Sequence, residues 1–80
     1  MPPSPTITLD QARKGDRLLI QAIPDATVRV QVVRFGLAIG AMVTCQSVMP
    51  GGPVILRRGL QEIAIGRELA RTIQVERQAS

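Results

Sequence analysis

Residues 25–40 read DATVRVQVVRFGLAIG. Two periods compete in this stretch. Val28, Val30 and Val32 alternate with Arg29 and Gln31, which is the period of a half-buried strand. Valine's branched Cβ also favours the extended chain. Against this, Val32 and Val33 are adjacent and break the alternation. Val28, Val32 and Phe35 fall at i, i+4 and i+7, a single helical face. Asp25 stands where an N-cap stands, and Gly36 where a helix ends. Propensity alone says strand; spacing and brackets say helix.

The flanking segments are clearer. DRLLIQAI (16–23) reads as a strand with Leu18 and Ile20 on one face, Leu19 and Ile23 on the other, and Pro24 ending it. AMVTCQSVM (41–49) turns Val43 and Cys45 one way and Met42, Thr44 and Gln46 the other, then loses phase at Ser47-Val48, as a bulge would cause. PGGP (50–53) is a turn, VILRR (54–58) a second strand of that hairpin, and LQEIAI (60–65) a third strand with Ile63 and Ile65 on one face. GRELART (66–72) has room for one helical turn with Glu68 near its start, and IQVE (73–76) closes as a strand with Ile73 and Val75 inward. Near the N-terminus, TLDQARKG (8–15) reads as a helical turn: Thr8 and Gln11 have capping-box spacing, and Gly15 supplies the left-handed stop. The count is five short strands, and curling them into a small barrel hides both the sheet edges and the apolar face.

Eighty residues make one domain. A chain this short buries only about 60% of the surface its unfolded form exposes, so its core is small. Phe35 is the one aromatic residue, so Val, Ile, Leu, Ala and Met must fill that core. The expected boundaries are a flexible tail at 1–6, the domain at 7–76 and a second tail at 77–80. No apolar run approaches the roughly 20 residues that span a bilayer. MPPSPT has neither the basic nor the apolar region of a signal peptide. The single Cys45 excludes an internal disulfide and fits a reducing compartment, so a cytoplasmic location without direct membrane insertion is the expectation.

The chemistry is sparse. There is no His, which removes imidazole acid–base work and imidazole metal ligation. Cys45 sits in an alternating strand as a small core residue. The six acids are scattered singly, and Asp10, Asp25 and Glu68 have local structural roles. No catalytic residue, cofactor or metal ligand is expected, and GLAIG (36–40) lacks the Lys-Ser/Thr that would make a phosphate loop. Nine Arg and one Lys against six acids give a net charge of +4, which suits an acidic partner, a nucleic acid, a membrane surface or simple solubility. Arg57, Arg58 and Arg67 lack the interleaved aromatics on which bases stack. What remains is a binding module rather than an enzyme.

The pieces VVRFGLAIG (32–40), MPGGPVIL (49–56) and IAIGRELARTIQVE (63–76), in this order and spacing, resemble the FeoA family, small cytosolic proteins of bacterial ferrous iron transport. The opening TLDQARKGDRLLI (8–20) is similar to the family's start, with Ala12 where Leu is usual. Phe35 before GL, Ile39 where Pro is common and the Val-rich run at 28–33 depart from the pattern while keeping its polarity. The resemblance implies a mainly β fold: a small SH3-like five-stranded barrel with a helix inserted after the first strand and short helical turns near the N-terminus and before the last strand. It decides the opening stretch in favour of a helix at 26–35. It further implies an accessory or regulatory role, docking on the cytosolic side of the GTP-binding membrane transporter FeoB. LAI (37–39) is then an apolar loop beyond the helix, and Arg29 and Arg34 its charged rim, so Arg29, Arg34, Leu37, Ala38 and Ile39 form the candidate partner surface. In the competing packing, Leu37 and Ile39 plug the barrel end. The alternative function is a small basic barrel that binds peptide or nucleic acid.

Overall fold

The computed structural model describes residues 6–78; residues 1–5 and 79–80 lie outside the description. One antiparallel sheet carries the fold, in the order β1-β6-β2-β3-β4-β5. The strands are β1 (Thr6–Thr8), β2 (Arg17–Ala22), β3 (Met42–Val48), β4 (Val54–Arg58), β5 (Gln61–Ile65) and β6 (Gln74–Gln78). A 3₁₀ turn (Leu9–Gln11) follows β1, helix α1 (Ala26–Val33) joins β2 to β3, and the single-turn helix α2 (Arg67–Ala70) joins β5 to β6. The fold is mainly β, as expected.

The alternation read from the sequence builds the core. Leu18, Ile20, Val43, Cys45, Val54, Leu56, Ile63, Ile65, Ile73 and Val75 are all buried in one cluster. Ile7 of edge strand β1 packs against that same cluster, which also contains Ile63 and Ile65 of the opposite edge strand. The sheet therefore curls around one interior. Alternating burial on a curled sheet is what lets so short a chain enclose a core built without an aromatic side chain.

Four local readings are corrected. The sheet has six strands, not five. Thr6–Thr8 pairs with β6 through Thr6↔Glu76, Ile7↔Val75 and Thr8↔Gln74, and three residues are too few to show a period. Thr8 makes no side-chain cap; its hydroxyl donates to Asp10 Oδ1 at 2.5 Å instead of closing a box with Gln11. β6 runs on to Gln78, because Arg77 and Gln78 pair with Leu18 and Arg17 of β2, so these two residues belong to the sheet and not to a tail. Ile23, expected opposite Ile20, joins the core: a register shift between Ile20 and Ala22 turns the chain over. The bulge expected near Ser47 is present, as a shift between Cys45 and Ser47.

Candidate interaction site

Helix α1 answers the question posed by ATVRVQVV. Asp25 caps it: its Oδ1 accepts from the backbone N–H of Thr27 at 2.8 Å and of Val28 at 3.2 Å. Val28 and Val32 face the core, as their four-residue spacing requires. The helix ends at Val33, two residues earlier than the expected 35. Gly36 adopts φ 82°. Gly36 N–H then reaches Val33 C=O at 3.0 Å and Leu37 N–H reaches Val32 C=O at 3.1 Å, the crossed pair of a Schellman closure. The closure sends Leu37, fully buried, into the core beside Val32. Phe35, expected on the core face, is consequently 46% exposed.

The outer side of α1 is apolar as well. Val30 and Val33 are 62% and 54% exposed, and Ile39, beyond the closure, is 58% exposed. With Ile23, Ala26, Leu37 and Ala38 they line a groove of about 660 Å³ between the helix and the loop that follows it, and Arg29 is its one charged lining residue. The groove brings together Arg29, Leu37, Ala38 and Ile39 of the predicted surface. Leu37 forms its buried floor, which is the plug reading, whereas Ala38 and Ile39 stand on its exposed wall. Arg34 is exposed at the helix end and does not line the groove. Val30 and Val33 were missed, although valines at 28, 30, 32 and 33 fall on both sides of a helix and signal two apolar faces to cover.

The titratable groups of note lie elsewhere. Burial pushes the Asp16 carboxyl up, but the Arg13 backbone N–H at 2.9 Å and the Arg77 guanidinium at 3.0 Å outweigh it and hold its pKa below the ordinary value. Burial pushes the Cys45 thiol up, and the Asp16 charge adds to the effect. Among the described residues, no three His, Cys, Asp or Glu side chains converge as a metal-binding group. No helix there is long and apolar enough to cross a membrane. What the groove offers is apolar contact and a single guanidinium.

Comparison with known proteins fits this architecture. The FeoA domain model matches residues 7–77. The crystal structure of an iron uptake regulatory protein, FeoA, is 28% identical, with a TM-score of 0.85 over 92% of this chain and 100% of its own. The NMR structure of a FeoA-like protein from Clostridium acetobutylicum is 21% identical, with a TM-score of 0.80 over 100% of this chain and 93% of its own. A manganese-dependent transcriptional repressor shares the fold at 18% identity and a TM-score of 0.82, with 98% of this chain matching 45% of the repressor. No curated protein matches the chain significantly. With the family pattern running from the first strand to the last, the chain belongs to the FeoA domain family.

Proposed function

We propose that this protein is an accessory component of ferrous iron uptake that docks, through the α1 groove, on the cytosolic side of a FeoB-like GTP-binding membrane transporter. The FeoA domain match over residues 7–77 carries the link to iron uptake. The apolar wall of Val30, Val33 and Ile39 beside Arg29 supports the choice of surface, because apolar anchors rimmed by Arg are the usual make-up of an interface centre. The chain's own chemistry favours an accessory over an iron carrier. It has no His, and its one Cys is buried with the thiol held protonated. The groove is also a poor seat for nucleic acid, since Arg29 alone among its lining residues could meet a phosphate.

Pull-down of the cytosolic part of the FeoB-like transporter, with and without a GTP analogue, tests this reading. The protein is expected to recover it in at least one nucleotide state, and the double variant V30Q/V33Q to weaken recovery about tenfold by removing two apolar anchors. No recovery in either state, or equal recovery by the variant, counts against the docking model.

A further inference from the structure

A second surface lies where the β4–β5 turn meets the end of α1. The turn carries Arg57, Arg58, Gly59 and Leu60, and Leu60 is 99% exposed. The Arg58 guanidinium lies over Gly36: a Cβ built on that glycine would stand 2.4 Å from Arg58 Nη1. This contact places the turn against the α1 closure, which adds exposed Arg34 and the 46% exposed Phe35 to the same end of the molecule. Glu62 is the register partner of Arg57 across the hairpin, yet no ion pair within 4.0 Å engages Arg34, Arg57 or Arg58 among the described residues.

We propose that this end is a peripheral contact for an anionic lipid surface, with Leu60 as its apolar anchor and Arg34, Arg57 and Arg58 over the headgroups. Charge complementarity selects the partner: Arg57 and Arg58 lead into the turn that carries Leu60, with Arg57 Nε donating to Gly59 C=O at 3.3 Å, Arg34 lies two residues before the Gly36 that Arg58 covers, and none of the three is ion-paired among the described residues. Shape narrows the choice further. Leu60 is at the convex tip of a hairpin, where a rigid protein partner would need a matching socket, whereas a fluid bilayer closes around a protruding side chain. A nucleic acid would use the arginines but gain nothing from a fully exposed leucine. The contact reaches only headgroup depth and needs no membrane-spanning segment. It does not depend on the α1 groove or on any transporter.

Vesicle flotation with the full chain tests the proposal, comparing pure phosphatidylcholine with phosphatidylcholine containing about 30 mol% phosphatidylglycerol, which gives the vesicle a negative surface potential. Binding is expected on the anionic vesicles alone and should fall as salt is raised. R34Q/R57Q should lower the partition coefficient about thirtyfold, from two lost guanidiniums, and L60S about tenfold. Thermal melts of the variants check that they remain folded. The chain contains no Trp, so L60W supplies a single fluorescent reporter. Its emission is expected to shift to the blue on anionic vesicles, while that of V30W does not. Equal binding to neutral and anionic vesicles, no binding to either, unchanged L60W emission, or a DNA oligonucleotide bound as tightly as the anionic vesicles would each overturn the proposal.

Discussion

Gly36 holds the residue-scale logic of the molecule. Its φ of 82° lets Leu37 turn into the core, and its missing side chain leaves room for Arg58. G36A is expected to lower stability by about 1–2 kcal/mol through left-handed backbone strain alone, measured by chemical denaturation, with Arg58 displaced in addition. Asp16 makes a second case. Its pKa is depressed from an ordinary 3.8, so its interactions with Arg13 and Arg77 stabilise the fold fully above that pH. The contribution is lost as the pH falls through the lower, folded value. Denaturation midpoints of the wild type should therefore drop more steeply below about pH 4 than those of D16N, and at neutral pH D16N should cost about 1 kcal/mol, as expected for a partly exposed pair with an added backbone hydrogen bond. Parallel curves for the two proteins would show that Asp16 does not act through its charge.

At the scale of the element, α1 is a short helix made largely of a poor helix former. Four of its eight residues are Val. An isolated helix of this length would not form; the Asp25 cap, the Gly36 closure and the burial of Val28 and Val32 supply what propensity lacks. V32A is accordingly expected to cost about 2 kcal/mol, while V30Q or V33Q on the exposed side should shift stability by no more than about 0.5 kcal/mol. Denaturant melts of the three variants check this division of the helix into a core face and a free face. Much of this element was legible, because Asp25, Gly36 and the Val28–Val32 spacing are local signals. Its exact end was not: Phe35 continues the helical period, and only the choice of Leu37 as the core residue reveals that the chain closes earlier. The same holds for Ile23, whose turn inward depends on a bulge against β6, and for β1, which exists because β6 offers it a ladder. These are tertiary decisions, invisible to a window of a few residues.

At the scale of the whole molecule, the chain is a curled sheet with its connecting helix displayed on the outside. Repetitive alternation in β2 to β6 made the class of fold readable. The candidate site was half readable, since an apolar loop after a helix stop pointed to Leu37, Ala38 and Ile39, whereas Val30 and Val33 became part of it only once α1 was seen to have an uncovered side. This uncovered side is the proposed docking surface for the transporter. The most direct test is to titrate the isotopically labelled protein with the cytosolic domain of the FeoB-like transporter and follow backbone amide resonances. The perturbed signals are expected to cluster at Arg29, Val30, Val33, Ala38 and Ile39. Saturation without any perturbation of α1, or perturbations confined to β4 and β5, would contradict it.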